Sequence, residues 1–389
     1  VRMFTSGEPV DFITLLEAAK EEEIFQSEQE AKIYLSRLMD IVPSVRNLGA
    51  YVDIILDKQL TRNLIQISGD ILNNARESGA EGKILLDSAE QKIYDIRQGR
   101  DARGLVPISD TLIEAYDRIN KLSGEDREQY LGLKTGYSAV DGKLGGLNKS
   151  DLVIIAARPG LGKTSFALNI AAKVAMKQKK NVAIFSLEMS SEQITSRMLS
   201  CEAMVESWKL RIGSLEASDW TRLAEAAQML NKTNILIDDT AGITVSGMKG
   251  KLRRVQNLGL VVIDYLQLMS AGGKKTDNRV QEISDITRNL KILAKEINVP
   301  VICLSQLSRA SEQRTDHKPQ LSDLRDSGSL EQDADVVMFL YRDEIYNPTN
   351  PHSRGKADLI IAKNRAGKRG VVIRFIFDST RVKFVEEFR

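Results

Sequence analysis

A chain of 389 residues exceeds the size at which one hydrophobic core keeps growing, so two or three folding units are expected. At 42% hydrophobic and 28% charged the composition is that of an ordinary globular protein; no apolar run approaches the roughly 20 residues of a bilayer span and no basic-then-apolar segment opens the chain, so no membrane partner and a cytoplasmic setting are expected. The net charge of +2 leaves any nucleic-acid contact to local basic loops, and Cys201 and Cys303, far apart and in no metal-like spacing, argue against a disulfide framework or a zinc site.

The chain opens on "VRMFTSGEPVDF" without an initiator methionine and stops at "VKFVEEFR" after a strand-like run, which points to a fragment or to missing ends. Residues 10–98 read as helices. In "AYVDIILDKQLTRNLIQISGDILNNA" the apolar Val52, Leu56, Leu60, Leu64, Ile67 and Ile71 recur every three or four residues and share one helix face. After the turn signal "ESGAEG", Leu85, Ala89, Ile93 and Ile96 repeat that spacing, giving a helical hairpin with an apolar seam. The glycine and charge of "GRDARGLV" break the pattern. Residues 107–122 then offer one isolated amphipathic helix with Ile108, Leu112, Ala115, Ile119 and Leu122 on its face. Such a helix cannot bury its face alone, and docking on its own domain or on a neighbouring copy are equally open.

From residue 131 the pattern changes. Short β-branched runs ("DLVIIAA", "NVAIFSL", "NILIDD", "LGLVVIDYL", "VPVICLSQL", "DVVMFLY", "ADLIIAKN") alternate with helical segments, which predicts an α/β fold with a mostly parallel sheet covered on both faces. The closing "GVVIRFIFDSTRVKFVEEF" predicts two strands in an antiparallel extension. The expected domains are 1–98 helical, 99–130 linker with a docking helix, and 131–389 α/β.

The stretch "VIIAARPGLGKTSFALNIA" places a buried strand, a glycine loop and a helix in succession, the context of a phosphate-binding P-loop. In Arg158, Pro159, Gly160, Leu161, Gly162, Lys163, Thr164 and Ser165, the two glycines let successive N–H groups turn inward on a phosphate. Lys163 supplies a point charge and Thr164 a hydroxyl for Mg²⁺. Ala157 stands where the first glycine of the usual pattern would be, which leaves the cradle intact because it is made by the residues just before the lysine. Asp264 ends an apolar strand and could hold the Mg²⁺ shell, a helix-capping aspartate being the alternative. Glu188, at another strand end, could accept a proton from the water attacking the γ-phosphate. Gln306, at a third, could sense that phosphate and pass its loss to the following loop.

These strand ends in this order resemble the RecA-like ATPases. "TGYSAVD", "GGL", "DLVIIAARPGLGKTSFALNIA", "FSLEMS", "VVIDYLQLM", "SQLSR", "DLRDSGSLEQDADVV" and "IIAKNRAG", over about 240 residues, more closely resemble the bacterial DnaB replicative-helicase family. The helical front part is similar to the second half of that family's amino-terminal domain. The resemblance implies a RecA-like sheet, ATP and Mg²⁺ as cofactors, and ATP-driven 5′ to 3′ movement on single-stranded DNA as a homohexameric ring at a bacterial replication fork. It also implies a primase and a helicase loader as partners, with the linker helix docked on the adjacent ATPase domain. It gives Lys163 and Thr164 to the phosphates and metal, Asp264 to the metal, Glu188 to the general base and Gln306 to coupling with DNA. Lys363 and Arg365 would be a sensor and an arginine finger serving the neighbouring subunit, where spacing alone reads only a solvated basic loop. Arg325, Asp326 and Gly328 would lie along the DNA backbone, and the loops 270–279 and 308–328 would face the channel. Asp326 stands where the family more often has Glu, "VDGKLGGL" is shorter than the family's spacing, and the front of the amino-terminal domain is absent. A RecA-like recombinase filament and a nucleotide-gated assembly switch are the rival readings; the helical hairpin argues against the first, Glu188 with Arg365 against the second.

Overall fold

The computed structural model describes residues 11–41 apart from 23 and 26, 48–77, 82, 85–86, 88–90, 92–93, 108–124, 127–269 and 279–387 apart from 315. The chain divides into two compact units, Val1–Val106 and Pro107–Arg389.

The first unit is helical where described: α1 (Phe12–Glu21), α2 (Glu28–Ile41) and α3 (Leu48–Glu77). Asp11 caps α1, its carboxylate accepting the N–H groups of Ile13 and Thr14 at 2.9 Å. On the 30-residue α3 the predicted face carries Val52, Leu56, Leu60 and Leu64 largely exposed. The predicted second arm of the hairpin lies mostly outside the described residues, and the positions described there are helical.

The second unit begins with α4 (Ile108–Ser123), which shares its end with a single turn at Arg127–Tyr130 through Lys121 Nζ, 5.7 Å from the Tyr130 ring centre. Ile108, Leu112, Ile113, Tyr116 and Ile119 are all exposed, so the described residues of its own unit do not cover this face.

Among the described residues nine strands make one sheet in the order β3-β2-β4-β5-β1-β6-β7-β8-β9. They are β1 (Leu152–Ala157), β2 (Asn181–Ser186), β3 (Ile235–Asp238), β4 (Leu258–Asp264), β5 (Val301–Gln306), β6 (Val336–Tyr341), β7 (Lys356–Asn364), β8 (Val371–Asp378) and β9 (Lys383–Glu386). The six from β3 to β6 pair in parallel. The antiparallel part starts one strand earlier than expected, at β7, which runs against both β6 and β8. Burial explains the division: every residue of β1 and β6 is buried, as strands covered on both faces must be, whereas β7 and β8 alternate between buried and more exposed positions.

Helix α5 (Lys163–Gln178) leaves β1 and packs one face of the sheet with Phe166, Ile170 and Val174, all fully buried. Tyr137, Phe166, Phe375 and Phe384 meet there, with ring centres 5.1–6.2 Å apart. Each such ring contributes about 1.5–3 kcal/mol by burial. Asn169 on α5 accepts the Phe384 N–H at 2.8 Å, and the antiparallel strands are thereby seated on the helix that follows the glycine loop. Tyr137 belongs to "TGYSAVD", where the Asp141 carboxylate accepts both the N–H and the hydroxyl of Thr135 at 2.7 and 2.8 Å and fixes the entry to the sheet. On the opposite face α6 (Arg279–Ile297) buries Ile283, Ile286, Leu290 and Leu293.

Candidate active site

β1 ends at Ala157, and the chain turns through Gly160 and Gly162 at φ of 78° and 100° before α5 starts at Lys163. Only glycine holds such angles without strain, and a Cβ on Gly162 would also come within 3.1 Å of the Phe384 ring and 3.2 Å of Phe377. No side chain caps the start of α5 among the described residues, so its first N–H groups stay free for an anion and the positive end of the helix faces the same place. The loop borders a cleft of 340 Å³, within the range of small-molecule sites. Arg158, Pro159, Gly160, Gly162, Lys163, Thr164 and Ser165 line it, whereas Leu161 turns into the core at 3% exposure.

Because parallel strands end together, the carboxyl ends of β2, β4 and β5 converge on this loop. The Thr164 hydroxyl donates to Asp264 Oδ2 at 2.7 Å. Asp264 is 2% exposed, and its Oδ1 is buried with no hydrogen-bond donor among the described residues, 3.7 Å from Lys163 Nζ. Glu188 follows β2 and is half exposed, its Oε2 4.0 Å from the same ammonium. The Lys163 ammonium also sits 4.5 Å from the centre of the Tyr265 ring. Burial first, then the charges of Glu188 and Asp264, push the Tyr265 phenol above its ordinary pKa. Gln306 ends β5 and lines the cleft.

Several residues of the site carry no local sequence signal. Gln267, two residues past Tyr265, grips the end of β5: its Nε2 donates to Ser305 Oγ at 2.9 Å and to the Gln306 carbonyl at 3.3 Å. Arg197 and Arg342 bring further cations to the wall, and Arg342 lies 4.7 Å from the Phe377 ring centre. Arg158 is fixed from the other side, donating to Glu312 Oε1 and to the Leu307 carbonyl, both at 2.8 Å. Only the whole fold brings these residues together, although "YRDE" and "FDST" at the ends of β6 and β8 follow the same strand-end rule that finds Glu188 and Gln306.

Lys363 and Arg365 lie elsewhere. β7 is antiparallel to β6 and ends at the sheet edge where β1 begins: Lys363 is opposite Val337, Val337 opposite Ile154, and the Arg365 N–H donates to the Asp335 carbonyl. β1 is six residues long, so about 17 Å of strand separates that edge from the glycine loop. Neither residue lines this chain's cleft. For Arg325, Asp326 and Gly328 only the backbone is described, a 3₁₀ turn at Leu321–Ser327 running into α7 (Gly328–Asp333). Their side chains, and 270–278 of the other expected DNA loop, lie outside the described residues.

Residues 132–386 match the DnaB-like helicase C-terminal domain. The chain is 44% identical over 379 residues to the replicative DNA helicase DnaB of Geobacillus stearothermophilus, covering 96% of this chain and 82% of that one. Among solved structures, a phage-type helicase fragment described as an ATPase domain superposes with a TM-score of 0.68 at 35% identity, over 73% of this chain and all of that one. A DnaB-like replicative helicase, solved in a study of its interactions with primase, superposes with a TM-score of 0.69 at 31% identity, over 99% and 89% of the two chains. With its glycine loop, convergent strand ends and matching sheet, the chain belongs to the DnaB-like replicative helicases, ATP-dependent enzymes built on a RecA-like ATPase domain.

Proposed function

We propose that this chain is one subunit of a ring, a homohexamer by family likeness, that hydrolyses ATP to move 5′ to 3′ along single-stranded DNA and exclude the other strand. The observation that carries the proposal is a division of the catalytic set: the loop, Lys163, Asp264, Glu188 and Gln306 share one end of the sheet, while Lys363 and Arg365 share the other. An arginine finger about 17 Å away cannot serve its own cleft, so completing the site requires a second copy.

In this reading the N–H groups at the start of α5, with Lys163 and Ser165, bind the triphosphate. Thr164 and Asp264 hold Mg²⁺; the orphaned, buried Asp264 Oδ1 beside the Thr164 hydroxyl is an acceptor pair that a hard cation fits. When bound, the metal neutralises charge on the β and γ oxygens. Glu188, half exposed at the cleft mouth, takes the proton of the attacking water. Gln306, its backbone gripped by Gln267, passes the state of the γ-phosphate to the segment after it. Arg365 of the preceding copy neutralises charge developing on the transferred group, and its Lys363 senses that phosphate.

The uncovered face of α4 supports the linker reading, since residues 107–122 find no cover among the described residues of their own unit and a neighbouring ATPase domain supplies one. We take 1–98 as the helical domain, 99–130 as linker and 131–389 as motor. The relative studied with primase supports a primase partner for the helical domain; a loader and a bacterial cytoplasmic location follow from the family, and no described helix is long and apolar enough to cross a membrane.

The test joins assembly to turnover. With ATP present, light scattering should give a multi-subunit ring, and Arg365→Ala should still bind ATP and assemble but hydrolyse at least about 10³-fold more slowly. A monomer with full turnover, untouched by Arg365→Ala, contradicts the proposal.

A further inference from the structure

Asp335 is the residue that joins the two ends of the sheet in this chain. It is 5% exposed, and each carboxylate oxygen is used: Oδ2 accepts the Leu152 N–H at the start of β1 at 2.8 Å together with the Lys291 ammonium, and Oδ1 accepts from Arg365 Nη1 at 3.4 Å. Its backbone is tied as well, its N–H to the Leu152 carbonyl and its carbonyl to the Arg365 N–H, both at 2.9 Å. Lys363 is docked beside it, its ammonium donating to the carbonyls of Glu331 and Gln332 at 2.5 and 3.1 Å. Those carbonyls end α7, where the negative end of a helix favours a cation. Leu330 and Ala334, both buried, anchor this turn in the core against α6.

The same segment crosses the whole sheet. It leaves the cleft after Gln306, where the Leu307 N–H donates to the Ala157 carbonyl of β1 at 3.2 Å and the Ser308 N–H to the Asp323 carbonyl at 3.1 Å. It passes through 325–328 and α7 and finishes at Asp335, so one connection touches this chain's cleft, the DNA-contact segment and both exported cations.

We propose that Asp335 is a positioning residue for Arg365, and that with the carboxyl end of α7 it presents Arg365 and Lys363 to the neighbouring copy at a geometry set by the DNA-contact segment. This rests on the ring reading above. The Arg365 side chain is 73% exposed, so without Asp335 little else would hold its direction, and its two bonds to one residue fix both its backbone and its head.

Asp335→Asn keeps an acceptor for Leu152 and removes the charge that orients Arg365. In assembled rings it is expected to lower kcat for ATP by at least about tenfold, with KM for ATP and the Kd for a single-stranded oligothymidine within about twofold of wild type. Stimulation of hydrolysis by that oligothymidine should fall toward none. Lys291→Met is the stability control: it removes the other cation on Asp335 and should lower the unfolding temperature at least as far, yet keep kcat within about twofold. Mixing is the second arm. Lys163→Ala chains, inactive alone but with an intact Asp335 and Arg365, should raise the rate of Asp335→Asn rings several-fold by acting as donors, and should rescue Arg365→Ala in the same way. If Arg365→Ala is rescued but Asp335→Asn is unimpaired, is not rescued, or is matched in its loss by Lys291→Met, the positioning role is overturned and the ring reading stands. If Arg365→Ala itself is not rescued, sharing of the site between copies is overturned, and this proposal with it.

Discussion

Lys163 lies within 4.0 Å of two carboxylates and against one ring face while only 8% exposed, a density of charge that makes sense if a triphosphate is to displace those contacts. Asp264 is the structural half of the pair, buried and bonded to Thr164. Glu188 is the accessible half, with 49% of its side chain open to water. The difference predicts different losses. Glu188→Gln keeps size and hydrogen bonding but cannot take a proton, so it should slow phosphate release by about 10²- to 10⁴-fold while ATP still binds with near wild-type affinity. Single-turnover phosphate release beside fluorescent-nucleotide titration checks this; unchanged release would remove Glu188 from the chemistry. Sequence pattern reaches these residues because each sits at the end of an apolar run. Arg197, Arg342 and Phe377 are out of its reach because they meet the loop only after strands from distant parts of the chain are laid side by side.

Among the elements, α4 makes the clearest demand on a partner. Its 16 residues carry Ile113, Tyr116 and Ile119 at 69, 66 and 57% exposure, and an isolated helix of that length is marginal in water. Since these side chains are open in the single chain, changing them should cost the fold little and assembly much. Tyr116→Asp with Ile119→Asp should leave the unfolding temperature of the motor within about 2–4 °C and convert rings to smaller species, with ATP turnover falling in step. Rings of unchanged mass by light scattering would show that α4 is not the docking element. The existence of this helix is legible in its periodicity; the cover for its face is not, because a single sequence does not say which copy supplies it. For the strands the limit is direction. β7 stands out as an apolar run, but its antiparallel pairing shows only in the alternation of buried Ala357, Leu359 and Ile361 with more exposed neighbours, a pattern that β1 and β6 lack.

At the scale of the whole molecule, the chain joins a helical unit to a motor whose two halves of one active site face opposite ends of the same sheet. That arrangement has a mechanical consequence: hydrolysis at each interface reads a donor chain whose exported cations and DNA-contact segment are parts of one connection, so ATP turnover and grip on DNA are coupled through the donor. Strand separation driven by that turnover is the central claim. Its most direct test is a forked duplex with a 5′ single-stranded tail, beside one with only a 3′ tail, incubated with the chain and ATP while strand release and phosphate release are followed together. We predict release from the fork with the 5′ tail, none from the other, and loss of both signals in Lys163→Ala. Brisk phosphate release with both duplexes intact would contradict the account.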